Sequence, residues 1–141
     1  MISLSPDITP ELASVIKSYP QSARLYAEYL RKLIYKIASG DADIGQITET
    51  LKWGEPAFLT SKPKSGTTLR FDWKESRPDK IGLFVHCNTA LIQTLRDMFG
   101  NVLEFEGNRA IWLDLKAPPP EDILTVCIGK ILTYHLNKGS S

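Results

Sequence analysis

Residues 67–87 constrain the fold more than any other part of the chain. "TTLRFDW" alternates: Leu69, Phe71 and Trp73 lie on one face, and Thr68, Arg70 and Asp72 on the other. That is the pattern of a half-buried strand. After the loop "KESRPDK", the segment "IGLFVHC" is apolar on both faces, with Ile81, Leu83, Val85 and Cys87 opposed to Gly82, Phe84 and His86. A strand apolar on both faces belongs in the centre of a sheet. The connection between the two is tight, and parallel neighbours need a long crossover, so the pair is predicted to be antiparallel.

The flanking segments fit that frame. "PAFLT", residues 56–60, reads as a further strand, and its entry through Pro56 predicts an edge strand or a strand start. "VLEFEGNRAIWLDL" reads as a hairpin with Gly107-Asn108 as its two-residue turn. That register sets Glu106 opposite Arg109, Phe105 opposite Ala110 and Glu104 opposite Ile111. It places Glu104, Glu106, Arg109, Ile111 and Leu113 on one face, and Leu103, Phe105, Ala110 and Trp112 on the other.

Helices are predicted around these strands. A short one spans about Leu12 to Ser18. A long one follows Pro20, with Leu25, Tyr29, Leu33 and Ile37 four apart, widened by Tyr26, Leu30 and Ile34. Arg24, Glu28, Arg31 and Lys32 are expected to face out, and Gly40 to form a left-handed cap. A third short helix, capped by Asp43, is expected to bury Ile44, Ile47 and Leu51. Another, capped by Asn88 or Thr89, carries Leu91, Leu95, Met98 and Phe99. A last one begins at Pro120 and buries Leu124, Cys127, Ile128 and Ile131. Grouped strands with helices collected on one side predict a two-layer α+β domain, an antiparallel sheet of about five strands with helices packed mainly on one face.

The length of 141 residues suits one domain, residues 1–141, with flexible ends expected over 1–8 and 137–141. The net charge of +1 gives no global field for nucleic acid or an anionic membrane. Between Lys52 and Lys80 there are seven basic and four acidic residues, a mildly basic patch. No run approaches the roughly 18 apolar residues of a membrane helix. The opening "MISLSPDITP" has no pattern of a signal peptide. Two cysteines in apolar runs, Cys87 and Cys127, fit a reducing compartment, and a cytoplasmic location is expected. His86 and Cys87 point to opposite faces of a strand, and Cys127 and His135 are about 12 Å apart along a helix, so neither pair forms a metal site. No cofactor and no metal are expected.

"ETLKWGEPAFLT", "SGTTLRFDW", "IGLFVHCNTALIQTLRDMFG", "FEGNRAIWLDL" and "CIGKILTYH" together resemble the YdhG-like bacterial family, a domain of unknown function. The likeness runs from about residue 20 to about residue 136, and Trp53, Gly54, Pro56 and Phe58 carry its most specific element. The resemblance implies an α+β domain with an antiparallel sheet. One branch of that family is described as a frataxin-like iron chaperone, which implies a ridge of carboxylates on the first helix and a neighbouring strand, because iron prefers hard oxygen ligands. This sequence departs from that: residues 1–40 hold three acids (Asp7, Glu11, Glu28) and five bases (Lys17, Arg24, Arg31, Lys32, Lys36).

Trp53, Glu55, Arg70, His86 and Arg109 are the candidate ligand-binding residues. An indole and a glycine before a strand can wall a pocket. An arginine on an open sheet face suits a carboxylate or a phosphate. A non-enzymatic binding domain is the expectation, taking a small anionic or amphipathic ligand or a protein segment on the sheet face. An iron chaperone and an enzyme using His86 with Glu55 or Arg70 are the alternatives. Each candidate also has a structural reading, such as an ion pair of Arg70 with Asp72 or Glu55, or of Arg109 with Glu106. Nucleic acid and membrane are not expected partners, and the chain is expected to be a monomer or a weak homodimer.

Overall fold

The computed structural model describes residues 7–44, 46–62, 66–86 and 90–137. Its elements run α1 (Pro10–Lys17), α2 (Gln21–Ser39), β1 (Gln46–Lys52), β2 (Glu55–Lys62), β3 (Leu69–Asp72), β4 (Lys80–Phe84), α3 (Leu91–Phe99), β5 (Glu104–Glu106), β6 (Ala110–Asp114), α4 (Glu121–Leu132) and the single turn α5 (Tyr134–Asn137). The strands form one sheet in the order β1-β2-β3-β4-β6-β5. Every neighbouring pair is antiparallel. The α+β class is as predicted, with six strands rather than about five.

Cys87, the expected helix caps Asn88 and Thr89, residues 63–65 of the predicted "SKPKSG" turn, and residues 1–6 and 138–141 of the termini lie outside the described residues; the cap position of α3 is Ala90.

One apolar layer holds the two layers together. From the sheet come Phe58, Leu69, Phe71, Ile81, Leu83, Ile111 and Leu113. From the helices come Leu12 and Ile16 of α1, Leu30 and Ile34 of α2, Ile92 and Leu95 of α3, and Leu124, Cys127, Ile128 and Ile131 of α4. Phe58 stacks on Phe71 at 5.5 Å, and Tyr35 meets Phe58 edge-on. Burial of the Cys127 thiol pushes its pKa up to about 12, which leaves it an inert apolar group. Among the described residues, the opposite sheet face carries a small separate cluster of Phe84, Ala110 and Trp112.

The segment read as a third helix is instead β1. Ile44, Ile47 and Leu51 satisfy a helical spacing, but Ile47, Glu49 and Leu51 also alternate on one strand face. Glu49 is what obscures the alternation, because its carboxylate points at the helical layer and accepts 2.7 Å bonds from Arg31 Nε and Nη2 of α2. Arg31, expected to face out, is therefore buried, while Leu25 of the expected stripe is 54% exposed. With β1 present, β2 lies between β1 and β3 and is no edge strand, although Pro56 does sit at its start. Gly40 closes α2 at φ −88°, not in the left-handed region. Met98, expected inside, is exposed, and Ile92 takes the buried place.

The β5–β6 hairpin is shifted by one residue from its predicted register. Glu104 opposes Trp112, Phe105 opposes Ile111 and Glu106 opposes Ala110. Three residues, Gly107 to Arg109, make the turn, with Gly107 at φ 56°. A shift of one residue exchanges faces. Phe105 and Ile111 now face the core, and Glu104, Glu106, Ala110 and Trp112 share the helix-free face.

Candidate functional site

The stretch "WGEP" contains the two-residue turn between β1 and β2. Lys52 pairs with Glu55, so Trp53 and Gly54 alone make the connection. Both have positive φ, 52° and 77°. Tight hairpins favour this geometry because its twist matches that of the strands, and they normally place Asn-Gly there. A tryptophan in that position costs about 1–2 kcal/mol of backbone strain. Trp53 is nonetheless 83% exposed. The arrangement does lay its ring along the helix-free face, with the Arg70 guanidinium 5.0 Å from the ring centroid.

Arg70 comes from β3, opposite Ala57 on β2 and Phe84 on β4. Its Nη1 donates to Glu55 Oε1 at 2.5 Å, and its guanidinium also lies 5.6 Å from the Phe84 ring centroid. The other Glu55 oxygen accepts from Lys74 Nζ at 3.0 Å, and Lys74 also reaches Asp72 at 3.4 Å. Burial opposes the charge on Lys74, but these carboxylates outweigh it and raise its pKa.

A second ion-pair group stands across the face. Arg77, from the β3–β4 connection, donates to Glu104 and lies 3.8 Å from Glu106, and Lys80 lies 3.4 Å from Glu104. The Arg77 hydrogen bond, aided by Lys80, holds the Glu104 carboxyl below its ordinary range. Arg77 covers the Trp112 ring at 4.4 Å, and Trp112 Nε1 donates to Glu106 at 2.7 Å. Trp112 and Phe84 meet edge-to-face at 5.5 Å. This pair fits over the strands because residue 82 is glycine: a Cβ there would lie 2.5 Å from Phe84 Cζ and 3.0 Å from Trp112 Cζ3.

Between the two groups lies a concavity of about 390 Å³. Glu55, Arg70 and Lys74 line one side, Arg77, Glu106 and Arg109 the other, and Phe84, Ala110 and Trp112 the floor. The volume falls within the usual range for small-molecule sites, about 300–1,000 Å³.

Of the five predicted site residues, Glu55, Arg70 and Arg109 line this concavity, and Trp53 stands at its margin against Arg70. His86 is exposed just beyond the end of β4 and is not part of the lining. The expected pairing of Arg109 with Glu106 does not form, because Glu106 is engaged by Trp112 and Arg77. Lys74, Arg77, Phe84 and Trp112 belong to the site but were not singled out by the sequence. Gly82 was the available signal: a glycine inside an apolar strand marks a close approach of other groups.

Among the described residues no group of three or more His, Cys, Asp or Glu is placed to hold a metal ion, and no helix is long and apolar enough to cross a membrane. The fold and the site define a two-layer α+β domain with a charged, aromatic concavity on the uncovered face of its sheet. No protein-family model, curated protein or solved structure matches the chain.

Proposed function

We propose that the protein is a binding domain that takes a small anionic, amphipathic ligand in the concavity on its helix-free sheet face. One observation carries the reading: Trp53 is held exposed in a strained conformation at the margin of a cationic hollow. The turn would be more stable with Asn in its place. An exposed indole contributes little to the core, so its position is better accounted for by a role in binding. Rings and guanidinium groups side by side suit a ligand with both an apolar and an anionic part.

Membership of the YdhG-like family is part of this proposal and rests on the residues quoted above. The iron-handling and acid–base readings have no comparable observation in their favour. Glu55 is engaged by Arg70 and Lys74, and His86 lies outside the hollow.

The test is thermal stabilisation by a panel of aromatic carboxylates and phosphates, with binding mapped by backbone amide shifts. A true ligand at a hundred times its Kd adds about 2.7 kcal/mol. Shifts are expected at Trp53, Arg70, Phe84 and Ala110, with affinity reduced in Trp53→Ala. Millimolar panel members that leave both the melting temperature and these amides unmoved would refute the reading.

A further inference from the structure

We infer that the ligand is a monoanion headed by a carboxylate, and that Arg109 is the residue that selects it; this rests on the binding reading above. The inference follows from charge balance. Arg70 and Lys74 are matched by Glu55 and Asp72. Arg77 and Lys80 are matched by Glu104 and Glu106. Each group holds two cations and two carboxylates, so neither has charge to spare for a ligand.

Arg109 is the surplus. It lines the hollow and is exposed, and its guanidinium has no ion-pair partner among the described residues. All sixteen Asp and Glu side chains of the sequence fall within the described residues, so no undescribed side-chain carboxylate remains to neutralise it. Its backbone is anchored: the Val85 amide donates to the Arg109 carbonyl at 2.9 Å. Arg96 Nη2 donates to the carbonyl of Gly107 in the same turn at 2.5 Å.

One unmatched guanidinium recognises one negative charge, and a planar fork fits a carboxylate through two parallel hydrogen bonds. A second negative charge on the same head would find no further unpaired cation in the lining of the hollow. It would also face Glu55 and Glu106, which line the same hollow, and like charges in a partly enclosed site repel strongly. The site is therefore built to prefer a carboxylate over a phosphomonoester, which carries nearly two charges at pH 8.

Three probes share one ring system: 2-naphthoate, 2-naphthyl phosphate and neutral 2-naphthalenemethanol. Titration calorimetry at pH 8 with the full chain is expected to rank 2-naphthoate tightest. Arg109→Ala should weaken 2-naphthoate roughly tenfold or more, the usual loss for a hydrogen bond to a charged group, and leave the neutral probe unchanged. Arg109→Lys should recover part of the loss. Equal binding of 2-naphthoate to wild type and Arg109→Ala overturns the inference, as does phosphate binding as tight as carboxylate. If the probes bind at Trp53 and Arg70 without regard to charge, only this inference falls. If none of them binds at all, the binding reading falls with it.

Discussion

Gly82 and Phe84, two residues apart on β4, compete for one volume: a Cβ on residue 82 would lie 2.5 Å from the tip of the Phe84 ring. The aromatic floor of the hollow therefore depends on a missing side chain. Gly82→Ala is expected to displace the Phe84 and Trp112 rings and to destabilise the protein by about 1–3 kcal/mol, the usual overpacking penalty. Gly66→Ala should cost more. Its Cβ would meet the Leu132 backbone at 2.3 Å, and backbone cannot swing aside as a ring can. Chemical denaturation of the two variants gives the order directly, and Gly82→Ala proving the worse would contradict this packing account.

Trp53 trades stability for its position. Trp53→Asn should relieve the positive-φ strain and forfeit one exposed cation–π contact of about 0.5–1 kcal/mol. A net gain of up to about 1 kcal/mol is expected, because Asn-Gly is the preferred pair for this turn. The same variant should lose affinity for the aromatic carboxylates. Loss of stability on making Trp53→Asn would show that the indole holds the fold together.

The Arg31–Glu49 pair joins α2 to β1 with side chains only 10% and 6% exposed. Glu49→Leu leaves a buried guanidinium without its main carboxylate and should cost about 3–5 kcal/mol. Arg31→Met combined with Glu49→Leu should recover most of that loss, since two apolar groups replace a matched pair. Melting temperatures of the two variants check this, and a double variant no better than Glu49→Leu would count against the pair as the tie between α2 and β1.

Four phenols resist ionisation in the folded state. Burial, reinforced by the Glu121 hydrogen bond, raises Tyr29 to about 12. Burial foremost, with Asp72 at Tyr19 and Glu49 at Tyr35, raises Tyr19, Tyr26 and Tyr35 further. The unfolded chain ionises its tyrosines near pH 10. Between that value and the folded ones the native state holds more protons, so stability falls as pH rises. Below about pH 10 this contribution is fully present. Tyrosinate absorbance should therefore develop together with loss of circular dichroism above pH 10. Early titration of these phenols in an intact fold would refute their burial.

Much of the frame was legible because it is written in local periodicity. The two-fold alternation of Leu69–Asp72 and the stripe Leu124–Ile131 stand as read, and the apolar run from Ile81 forms a central strand, although that strand ends at Phe84 and not at Cys87. Failures occur where a distant partner overrides the local pattern. Glu49 breaks the apolar alternation of β1, and Arg31, eighteen residues away on α2, makes its inward position tolerable. The hairpin register was set by Glu106 bonding to Trp112 and by Phe105 and Ile111 joining the core, not by the Gly107-Asn108 dipeptide.

The site divides the same way. Arg70 and Glu55 could be placed on a polar strand face from alternation, and Trp53 could be tied to a turn by the glycine and proline beside it. That Glu55 binds both Arg70 and Lys74, that Glu106 is taken from Arg109, and that His86 falls outside the hollow were decided by strand order and register. The sequence by itself determined which segments are strands and helices wherever hydrophobic period and turn chemistry agree, because those signals act over a few residues. Only the tertiary structure decided which charges cancel and which guanidinium is left over, because ion pairing depends on side chains brought within about 4 Å from separate elements.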